Sequence, residues 1–483
     1  MKAEKIKVER PVKGEPFDLL FPGGGTLMTI AQELASFVSK ADYDDIGEAA
    51  RLQLKLRILD SLACAIGAMG AEPVKLIGKH IEEFGGSPSS TLIGGGRFAP
   101  DRAAFYNSAL VRYLDFNDSY LAKNETCHPS DNFGAVLAAA EYAGKTGREL
   151  LTALAVAYQV QCRLSDVAAV RDKGFDHTTQ GAYAVAAGVS RALGLDAEKT
   201  TNALAISGTA FNALRVSRTG ALSHWKGLAY PNTAFGCVHA TFLAMRGITG
   251  PAEVFEGNKG FMDSIAGRFE IDWKKEGLDR VNATIIKKFN AEVHSQSAIE
   301  AILEMKEKHG FSAGDIRRIE LDTFDVAFNI IGGGEEGDKR VVRTKEEADH
   351  SLPYMLAAAV LDGTVMPEQY VPGRIARRDV QELLQRVEVR PLKELSDRFP
   401  GRMPCRLRVH LTDGRLFEHE KDDYEGFHTR PMDRAGIVKK FELLGRGRMS
   451  AHLGRTIVDA VDRLEKIRVE ELTSLLARVG NEQ

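Results

Sequence analysis

The sequence lacks the features of a secreted, membrane-spanning or iron–sulfur protein. Its 483 residues include only five cysteines, none in a CxxC spacing, which argues against a disulfide framework and a thiolate-bound cluster. No apolar run approaches the ~20 residues that a membrane span requires. The N-terminal stretch MKAEKIKVERPVKGEPF is charged and has no apolar core of a signal peptide. We therefore expect a cytoplasmic protein that does not act on a membrane.

Neither sign of charge is in excess. The 64 Lys and Arg residues nearly balance 67 Asp and Glu residues, the formal net charge is -3, and the basic residues are spread along the chain. A protein without a basic surface has no general attraction for nucleic acid, and no aromatic–basic pattern suggests base stacking. No nucleic-acid partner is expected.

Motifs for common cofactors are missing as well. The glycine triplets Gly23–Gly25, Gly94–Gly96 and Gly332–Gly334 precede no GK[ST] of a phosphate-binding loop and connect no strand to a helix as a dinucleotide fingerprint does. We interpret them as loops. No HExxH and no paired-histidine spacing occurs, so a metal site is not expected.

The first half of the chain is predicted to be helical. A chain of 483 residues exceeds one typical hydrophobic core, so two domains or three are expected. After an extended lead-in over residues 1–25, residues 26–271 show helical periodicity and many small residues, which permit close packing. A capping box that begins at Thr146, a stop at Gly194 and a cap at Asp196 mark helix boundaries.

From residue 272 onward, strand and helix patterns alternate. The segments IRRIELDTF (316–324) and VEVR (387–390) are typical of strands, and CRLRVHLTDGRLFEHE is typical of a hairpin that turns at Asp413–Gly414. We predict an α+β domain over residues 272–428 and C-terminal helices over residues 429–483 that return to the helical domain. The predicted fold class is mainly α, with a second domain of the α+β type.

One segment of the helical region concentrates ionisable side chains. Residues 115–131, DFNDSYLAKNETCHPSD, place Asp115, Ser119 and His128 between two apolar, helical stretches. Burying such groups is unfavourable unless they have partners, and such clusters are typical of functional sites. The alternative is a helix–loop–helix junction with Asp and Ser caps and with Pro129 in a first turn.

Histidines and cations recur together in distant motifs. Arginine binds carboxylates at two points and lysine supplies a point charge, so a small polycarboxylate substrate would explain the pattern. A solvated surface would explain each motif separately. The histidines, in TCHPSDN, GFDHTTQG, SHWKG, FNAEVHSQSA and ADHSLPY, are His128, His177, His224, His294 and His350. The cations are Arg215, Arg218, Lys226, Lys287 and Lys288.

Together these motifs resemble the MmgE/PrpD family, whose known activities include 2-methylcitrate dehydratase and cis-aconitate decarboxylase. The segments DFNDS and HPSDN, GFDHTTQGAYAVAAGVSRALGLD, LRVSRTGALSHWKGLAYPNTAFG, RGITGPAEVFEG, KKFNAEVHSQSAIEA, ADHSLPYMLAAAVLDG and RPMDRAGIVKKF follow the family's order over about residues 30–450. The resemblance implies a large helical domain closed by a smaller α+β lid, a homodimer, and an active site between the domains. It also implies that no metal or other cofactor is used.

The resemblance further implies a set of site residues. The family usually has Thr where this chain has Ser119, so the hydroxyl is kept. Which of the two adjacent lysines corresponds to the family lysine stays open. The residues carried over are Asp115, Ser119, His128, His177, Lys226, His294 and Tyr354, with Arg215, Arg218, Lys287 and Lys288 as candidate carboxylate anchors.

The reaction expected from this resemblance is loss of water from a hydroxy tricarboxylic acid, as in 2-methylcitrate dehydratase. Such a reaction needs a base for the proton beside a carboxylate, an acid for the departing hydroxyl, and cations for the developing charge. His128 or His294 would be the base or the acid. The alternatives are a decarboxylase acting on cis-aconitate, an epimerase of an iminodicarboxylate, and a catalytically inactive helical binding protein.

Overall fold

The first domain of the protein consists of helices around one apolar core. The computed structural model describes residues 28–481, so the lead-in predicted for residues 1–25 lies outside the described residues. The helices are α1 (Ile30–Lys40), α2 (Glu48–Ala68), α3 (Glu72–Phe84), α4 (Pro100–Tyr113), α5 (Phe133–Tyr142), α6 (Gly147–Val167), α7 (Thr178–Leu193), α8 (Ala197–Ala210) and α9 (Trp225–Met245). Two short antiparallel ribbons interrupt them, formed by β1 (Ser90–Thr91), β2 (Arg97–Phe98), β3 (Tyr120–Leu121) and β4 (Thr126–Cys127).

Helix boundaries in this domain follow the predicted capping signals. α6 begins after a capping box in which Thr146 and Glu149 satisfy each other's backbone amides. α7 ends at Gly194 in the left-handed conformation, and Asp196 caps α8 by accepting from the amide of Lys199 at 2.8 Å. All three predicted boundaries are confirmed.

Close packing of α4 against α5 fixes the two ends of the charged segment 115–131. A Cβ added to Gly134 would lie 2.4 Å from the backbone nitrogen of Ser108, so only glycine permits this approach. A 3-10 turn, Pro129–Asn132, leads into α5. Pro129 thus takes the first-turn position expected for a capped junction, while the polar side chains of the segment remain available to a site.

The second domain contains a four-stranded mixed sheet packed against helices. The strands are β5 (Ile316–Thr323), β6 (Val387–Pro391), β7 (Cys405–Leu411) and β8 (Leu416–Lys421). The strand order is β6-β5-β7-β8, with β5 parallel to β6 and antiparallel to β7, and β7 antiparallel to β8. Alternate residues of β7 are buried, and the hairpin turns at Gly414 with φ of 91°, as predicted. The helices are α10 (Gln296–His309), α11 (Asp325–Ala327), α12 (Lys345–Ala348), α13 (Leu352–Asp362), α14 (Pro372–Ile375), α15 (Arg378–Leu384) and α16 (Lys393–Ser396).

The C-terminal helices pack on the first domain. They are α17 (Arg434–Gly445), α18 (Ala451–Asp462) and α19 (Val469–Leu476). Phe441 of α17 belongs to the apolar core of the helical domain. Lys440 Nζ lies 2.7 Å from Asp60 Oδ1 and donates to the carbonyls of Phe116 at 2.8 Å and Lys287 at 3.1 Å. α17 therefore supports backbone segments that carry predicted site residues.

The architecture is mainly α with a smaller α+β domain, which confirms the predicted fold class. We propose to keep the domain limits at residues 26–271, 272–428 and 429–483 that the sequence suggested. Within residues 28–481, each helix is either too short or too polar to cross a membrane.

Candidate active site

A small cleft lies where the helical domain meets the second domain, called the lid domain below. Its volume is about 50 Å³, far below the ~300–1,000 Å³ of a typical ligand pocket. The predicted site residues that line it are Asp115, His128, His177, Arg215, Arg218 and His294. The other lining residues are Arg112, Glu125, Thr126, Arg171, Glu292, Ile330, Glu336 and His350.

Asp115 is the centre of a set of buried ion pairs. Its carboxylate pairs with Arg112, with Lys226 Nζ at 3.0 Å and with Lys287 Nζ at 2.8 Å. Its backbone is left-handed, with φ of 56°, a conformation that Asp tolerates better than most residues. Burial by itself would raise the pKa of Asp115, but the three cations outweigh burial and hold this pKa well below its usual range. Asp115 is therefore ionised and orients the two lysines.

Lys226 is shared by two carboxylates and an imidazole. Its Nζ lies 3.0 Å from Asp115 Oδ2, 2.9 Å from Asp349 Oδ1 and 3.0 Å from His350 Nδ1. These three partners are close enough together to hold a metal ion, and the ammonium group lies among them. Burial lowers the pKa of Lys226 despite both carboxylates. The Asp115 network is defined here as Arg112, Asp115, Lys226, Lys287, Asp349 and His350.

His128 is held in one tautomer. Its Nδ1 lies 2.8 Å from the backbone carbonyl of Asp118, which can only accept, so Nδ1 carries the proton and Nε2 carries the lone pair. Ser119 Oγ lies 3.1 Å from the same Nδ1. Burial lowers the pKa of His128 well below its usual value, and the charges of Arg112 and Lys287 add to this effect. His128 is therefore a neutral imidazole that can accept a proton at Nε2.

Two further imidazoles present nitrogens that make no hydrogen bond. Within the described part of the chain, Nε2 of His177 and of His294 are buried without a hydrogen-bond partner, and Nε2 of His177 lies 3.8 Å from Asp131 Oδ2. An unsatisfied buried polar atom costs about 1–3 kcal/mol, so both positions favour a polar ligand. The Nδ1 atoms are held, in His294 by Glu292 at 2.8 Å and in His177 by Asp176 at 3.1 Å. His128, His177 and His294 are called the cleft imidazoles below.

Glu292 is an ionised partner of His294. Burial by itself would raise the pKa of Glu292, but the His294 imidazole and its hydrogen bond outweigh burial and lower this pKa to about 2. Glu292 also accepts from the backbone amide of His294 at 2.8 Å. The carboxylate therefore fixes the ring and places a negative charge beside its Nδ1.

Arginines of the helical domain line the cleft together with carboxylate partners. Arg218 pairs with Asp176 through Nε at 2.7 Å and Nη2 at 3.3 Å. Arg215 Nη2 lies 2.6 Å, and Arg171 Nη2 3.5 Å, from Glu336 Oε1. Glu336 belongs to the lid domain, so this contact joins the two domains across the cleft.

The two adjacent lysines of the KKFNAEVH motif have different surroundings. Lys287 is fully buried, and its Nζ donates to the Asp115 carboxylate at 2.8 Å and to the Asp115 carbonyl at 2.7 Å. Lys288 is partly exposed, and its Nζ pairs with Glu300 and Glu425 at 2.8 Å each. Neither lysine lines the cleft. Lys287 contacts Asp115, which does line it, whereas Lys288 pairs with carboxylates outside the lining.

The two predicted hydroxyl residues, Ser119 and Tyr354, do not line the cleft. Ser119 contacts the cleft through the ring of His128, as described above. Tyr354 is fully buried in the lid domain and donates its hydroxyl proton to the carbonyl of Gln369. Ser119 can therefore orient a cleft imidazole, while the Tyr354 hydroxyl already has a backbone partner.

Several cleft residues were not singled out from the sequence. Arg112 lies three positions before the first aspartate of DFNDS, a spacing that brings helical side chains together. Glu292 lies inside FNAEVHSQSA, a motif quoted for its histidine, so a signal was present for both residues. His350, which also lines the cleft, was among the motif histidines of the sequence but not among the predicted site residues. Arg171 and Glu336 lie in polar loop sequence without periodicity or motif, and no local signal identifies them.

Comparison with known proteins shows the family of the chain. The sequence models of the MmgE/PrpD N-terminal and C-terminal domains match residues 32–274 and 289–466. A cis-aconitate decarboxylase from Mus musculus is 25% identical over 94% of this chain and 93% of its own length. A 2-methylcitrate dehydratase from Escherichia coli (strain K12) is 27% identical over 86% of this chain and 91% of its own length. An alkylcitrate dehydratase from a fungal species is 27% identical over 88% of this chain and 89% of its own length.

The named relatives are dehydratases and a decarboxylase, which are lyases, and the predicted enzyme class agrees with theirs. The N-terminal family domain alone spans half of the chain, and the C-terminal domain covers most of the remainder. The resemblance found in the motifs is confirmed: this chain belongs to the MmgE/PrpD family.

Proposed function

We propose that this chain is a hydro-lyase of the 2-methylcitrate dehydratase type, which removes water from a hydroxy tricarboxylic acid in the cleft between its domains. The observation that carries the proposal is the convergence of the cleft imidazoles with the arginines Arg112, Arg171, Arg215 and Arg218 on one space. Imidazoles supply proton transfer near neutral pH, and guanidinium groups bind carboxylates. The named dehydratase relatives support the same reaction.

His128 is proposed as the base. Its neutral state and its Nε2 lone pair suit it to take a proton from the carbon beside a substrate carboxylate. The negative charge that develops on that carboxylate would be stabilised by the buried cations Arg112, Lys226 and Lys287. Ser119 would keep the ring oriented.

His294 is proposed as the acid. The ionised Glu292 lies 2.8 Å from its Nδ1 and fixes the ring, and Nε2, which makes no hydrogen bond, is the nitrogen left for a substrate. In the proposed step His128 takes the proton from carbon, the C–O bond breaks, and His294 protonates the departing hydroxyl so that water leaves. Opposite electrostatic surroundings of two titratable groups are the usual basis for separate acid and base roles.

A decarboxylase acting on cis-aconitate is the second candidate. The mouse cis-aconitate decarboxylase matches 94% of this chain, a larger share than either dehydratase named above. The same cations would stabilise the carbanion left by carbon dioxide, and an imidazolium would protonate it.

One experiment separates these reactions. Purified protein is incubated with 2-methylcitrate, citrate and cis-aconitate, and both the absorbance of unsaturated acids and the release of carbon dioxide are followed. The proposal expects 2-methylcitrate to give an unsaturated acid without carbon dioxide. Release of carbon dioxide from cis-aconitate would favour the second candidate, and no turnover of any of the three acids would contradict both.

The homodimer and the cytoplasmic location stay predictions, supported by the family resemblance and by the sequence. Size-exclusion chromatography with light scattering tests the first, and fractionation of the source cells tests the second.

A further inference from the structure

A glycine-rich segment of the lid domain carries an acid into the cleft. The π-helix Phe328–Gly332 leads into this segment, and helices of this type often occur at functional sites. Gly333 and Gly337 have φ of 108° and 91°, a region that favours glycine. Glu336 lies between them and is buried, whereas its neighbour Glu335 is exposed. The glycine triplet of the sequence analysis thus begins the segment 332–337, called the Glu336 loop below.

The Glu336 loop has two glycines whose conformation is not fixed by packing. A Cβ added to Gly333 or to Gly337 would meet no atom within 4 Å. Hinges of mobile loops are a few residues that absorb changes in φ and ψ, and they are often small. Inside the loop, the amide of Gly337 donates to the carbonyl of Gly334 at 3.1 Å. The loop is held to the π-helix by the amides of Gly333 and Gly334, which donate to the carbonyl of Phe328, and by the amide of Glu336, which donates to the carbonyl of Asn329 at 2.9 Å. The loop contacts the helical domain through the ion pairs of the Glu336 side chain. Few contacts therefore have to break for Glu336 to leave the cleft.

Two guanidinium groups of the helical domain receive this carboxylate. Glu336 Oε1 lies 2.6 Å from Arg215 Nη2 and 3.5 Å from Arg171 Nη2, and within residues 28–481 its Oε2 is buried without a hydrogen-bond partner. Burial lowers the pKa of Arg171, and the nearby charge of Arg215 lowers it further. Two guanidinium groups that approach the same carboxylate oxygen form a natural site for an anion. Glu336 supplies this anion, but only one of its two carboxylate oxygens has a partner, which is unfavourable for a buried group.

We propose that Arg171 and Arg215 form a carboxylate subsite for the substrate and that Glu336 occupies this subsite until a substrate carboxylate displaces it. The small volume of the cleft, about 50 Å³, agrees with a site that is filled by its own side chain. The inference rests on the proposed function in one respect, that the substrate is a polycarboxylate. It adds Arg171 and Glu336 to the determinants of specificity.

The proposal predicts that removing the internal charge tightens binding of an external polycarboxylate. When only a fraction of molecules has an open site, the apparent affinity falls by that fraction. Glu336→Gln keeps the shape of the side chain but pairs poorly with arginine, so the open fraction rises. The control is Glu335→Gln, which makes the same change of charge on the exposed side of the same loop.

The probe is propane-1,2,3-tricarboxylate, which has no hydroxyl group to lose, and the measurement is titration calorimetry on the full chain. We expect Glu336→Gln to lower Kd about tenfold and Glu335→Gln to leave Kd unchanged. Adding Arg171→Gln to Glu336→Gln should abolish the gain, because the subsite itself is then incomplete. An unchanged or weaker affinity of Glu336→Gln, or an equal gain for Glu335→Gln, would overturn the inference.

Folding and function are controlled separately. Thermal melts establish that the variants fold, and Glu336→Asp provides a second variant, since its shorter side chain keeps the charge but reaches Arg215 less well. A smaller gain in affinity is expected for it, and an unchanged affinity in a folded Glu336→Asp would also count against the subsite. If the protein turns over 2-methylcitrate but Glu336→Gln does not bind propane-1,2,3-tricarboxylate more tightly, only this inference is wrong. If Glu336→Gln binds the probe more tightly but 2-methylcitrate is not turned over, only the proposed reaction is wrong.

Discussion

The Asp115 network and the cleft imidazoles lie side by side, yet their buried polar groups are satisfied in different ways. In the network, Asp115 pairs with Arg112, Lys226 and Lys287, and Asp349 pairs with Lys226 and with Lys345. In the imidazoles, each Nδ1 is held by an oxygen of the protein, while Nε2 of His177 and of His294 makes no hydrogen bond within the described residues. Both carboxylates of the network therefore have cationic partners without a ligand, whereas two of the cleft imidazoles each keep a nitrogen that no hydrogen bond satisfies.

This difference teaches which side chains the fold depends on and which it leaves for chemistry. Removing one member of a buried ion pair leaves the other uncompensated, which strongly destabilises a protein. Removing the His128 ring breaks no ion pair, because its Nδ1 partner is a neutral backbone carbonyl, whereas removing His294 would leave the buried Glu292 carboxylate without its partner. We therefore expect substitutions in the network to change stability and activity together, and substitution of His128 to change mainly activity.

The largest effect on activity is expected for His128→Ala. Loss of a general base lowers kcat/KM by about 10²- to 10⁴-fold, while the melting temperature should change little. Steady-state kinetics with 2-methylcitrate and thermal melts measure the two quantities. His452→Ala, an exposed histidine of α18, is the matched control. Near-normal kcat/KM for His128→Ala would remove the proposed base.

Lys226→Ala should affect both quantities. It removes the cation that Asp115 and Asp349 share, although Asp115 keeps two other cations and Asp349 keeps Lys345. The free energy of unfolding should therefore fall by about 3 kcal/mol, the lower end of the range for a broken buried ion pair. We expect kcat/KM to fall by about 10²-fold or more, since a charge-stabilising group is lost. Denaturant unfolding and kinetics on the same preparation test the pair of effects. If Lys226→Ala lost activity but kept the unfolding free energy of the wild type, the expectation that the network stabilises the fold would be wrong.

The adjacent lysines provide a matched pair. Lys287→Met removes a fully buried cation of the network, and Lys288→Met removes a partly exposed one. Because exposed ion pairs contribute at most about 1 kcal/mol and broken buried pairs about 3–5 kcal/mol, Lys287→Met should be the more destabilising by at least about 2 kcal/mol. Equal losses of unfolding free energy would show that Lys287 is not the critical lysine.

The smallest effect is expected at Asp118, whose carbonyl holds His128. Burial raises the pKa of the Asp118 carboxyl to about 6, although Arg57 and hydrogen bonds from Ser130 and Tyr158 oppose this rise. The folded protein therefore binds this proton more tightly than the unfolded chain does. The resulting stabilisation is present below about pH 4 and is lost as the pH rises through about 6, a change on the order of 3 kcal/mol.

The measurement for Asp118 is the unfolding free energy of the wild type and of Asp118→Asn across this pH range. The amide side chain of this variant resembles the protonated acid and cannot titrate, so the stability of the wild type relative to the variant should decrease as the pH increases. Carboxyls with a lowered pKa, such as Glu292, change stability with pH in the opposite direction. They contribute equally to the wild type and to Asp118→Asn, so the difference between the two unfolding free energies cancels their contribution. A difference that does not depend on pH would contradict the raised pKa.

Much of the fold could be predicted because its signals are local. The capping box at Thr146, the stop at Gly194 and the alternation along β7 depend on residues a few positions apart. The motif histidines His128, His177 and His294 could likewise be selected from the sequence, and the structure brings all three to one cleft. Their roles as base and acid were left open because these depend on the neighbouring groups.

The sequence by itself determined the fold class, the family and the chemical types that a site could use, since these follow from periodicity, capping and ordered motifs. Only the tertiary structure decided that Lys287 rather than Lys288 approaches Asp115, that Lys226 lies between two carboxylates, and that Glu336 of the lid domain meets Arg171 and Arg215 of the helical domain. These contacts join residues more than a hundred positions apart. Electrostatic interaction depends on distance and burial in space, and no local pattern in the chain encodes either.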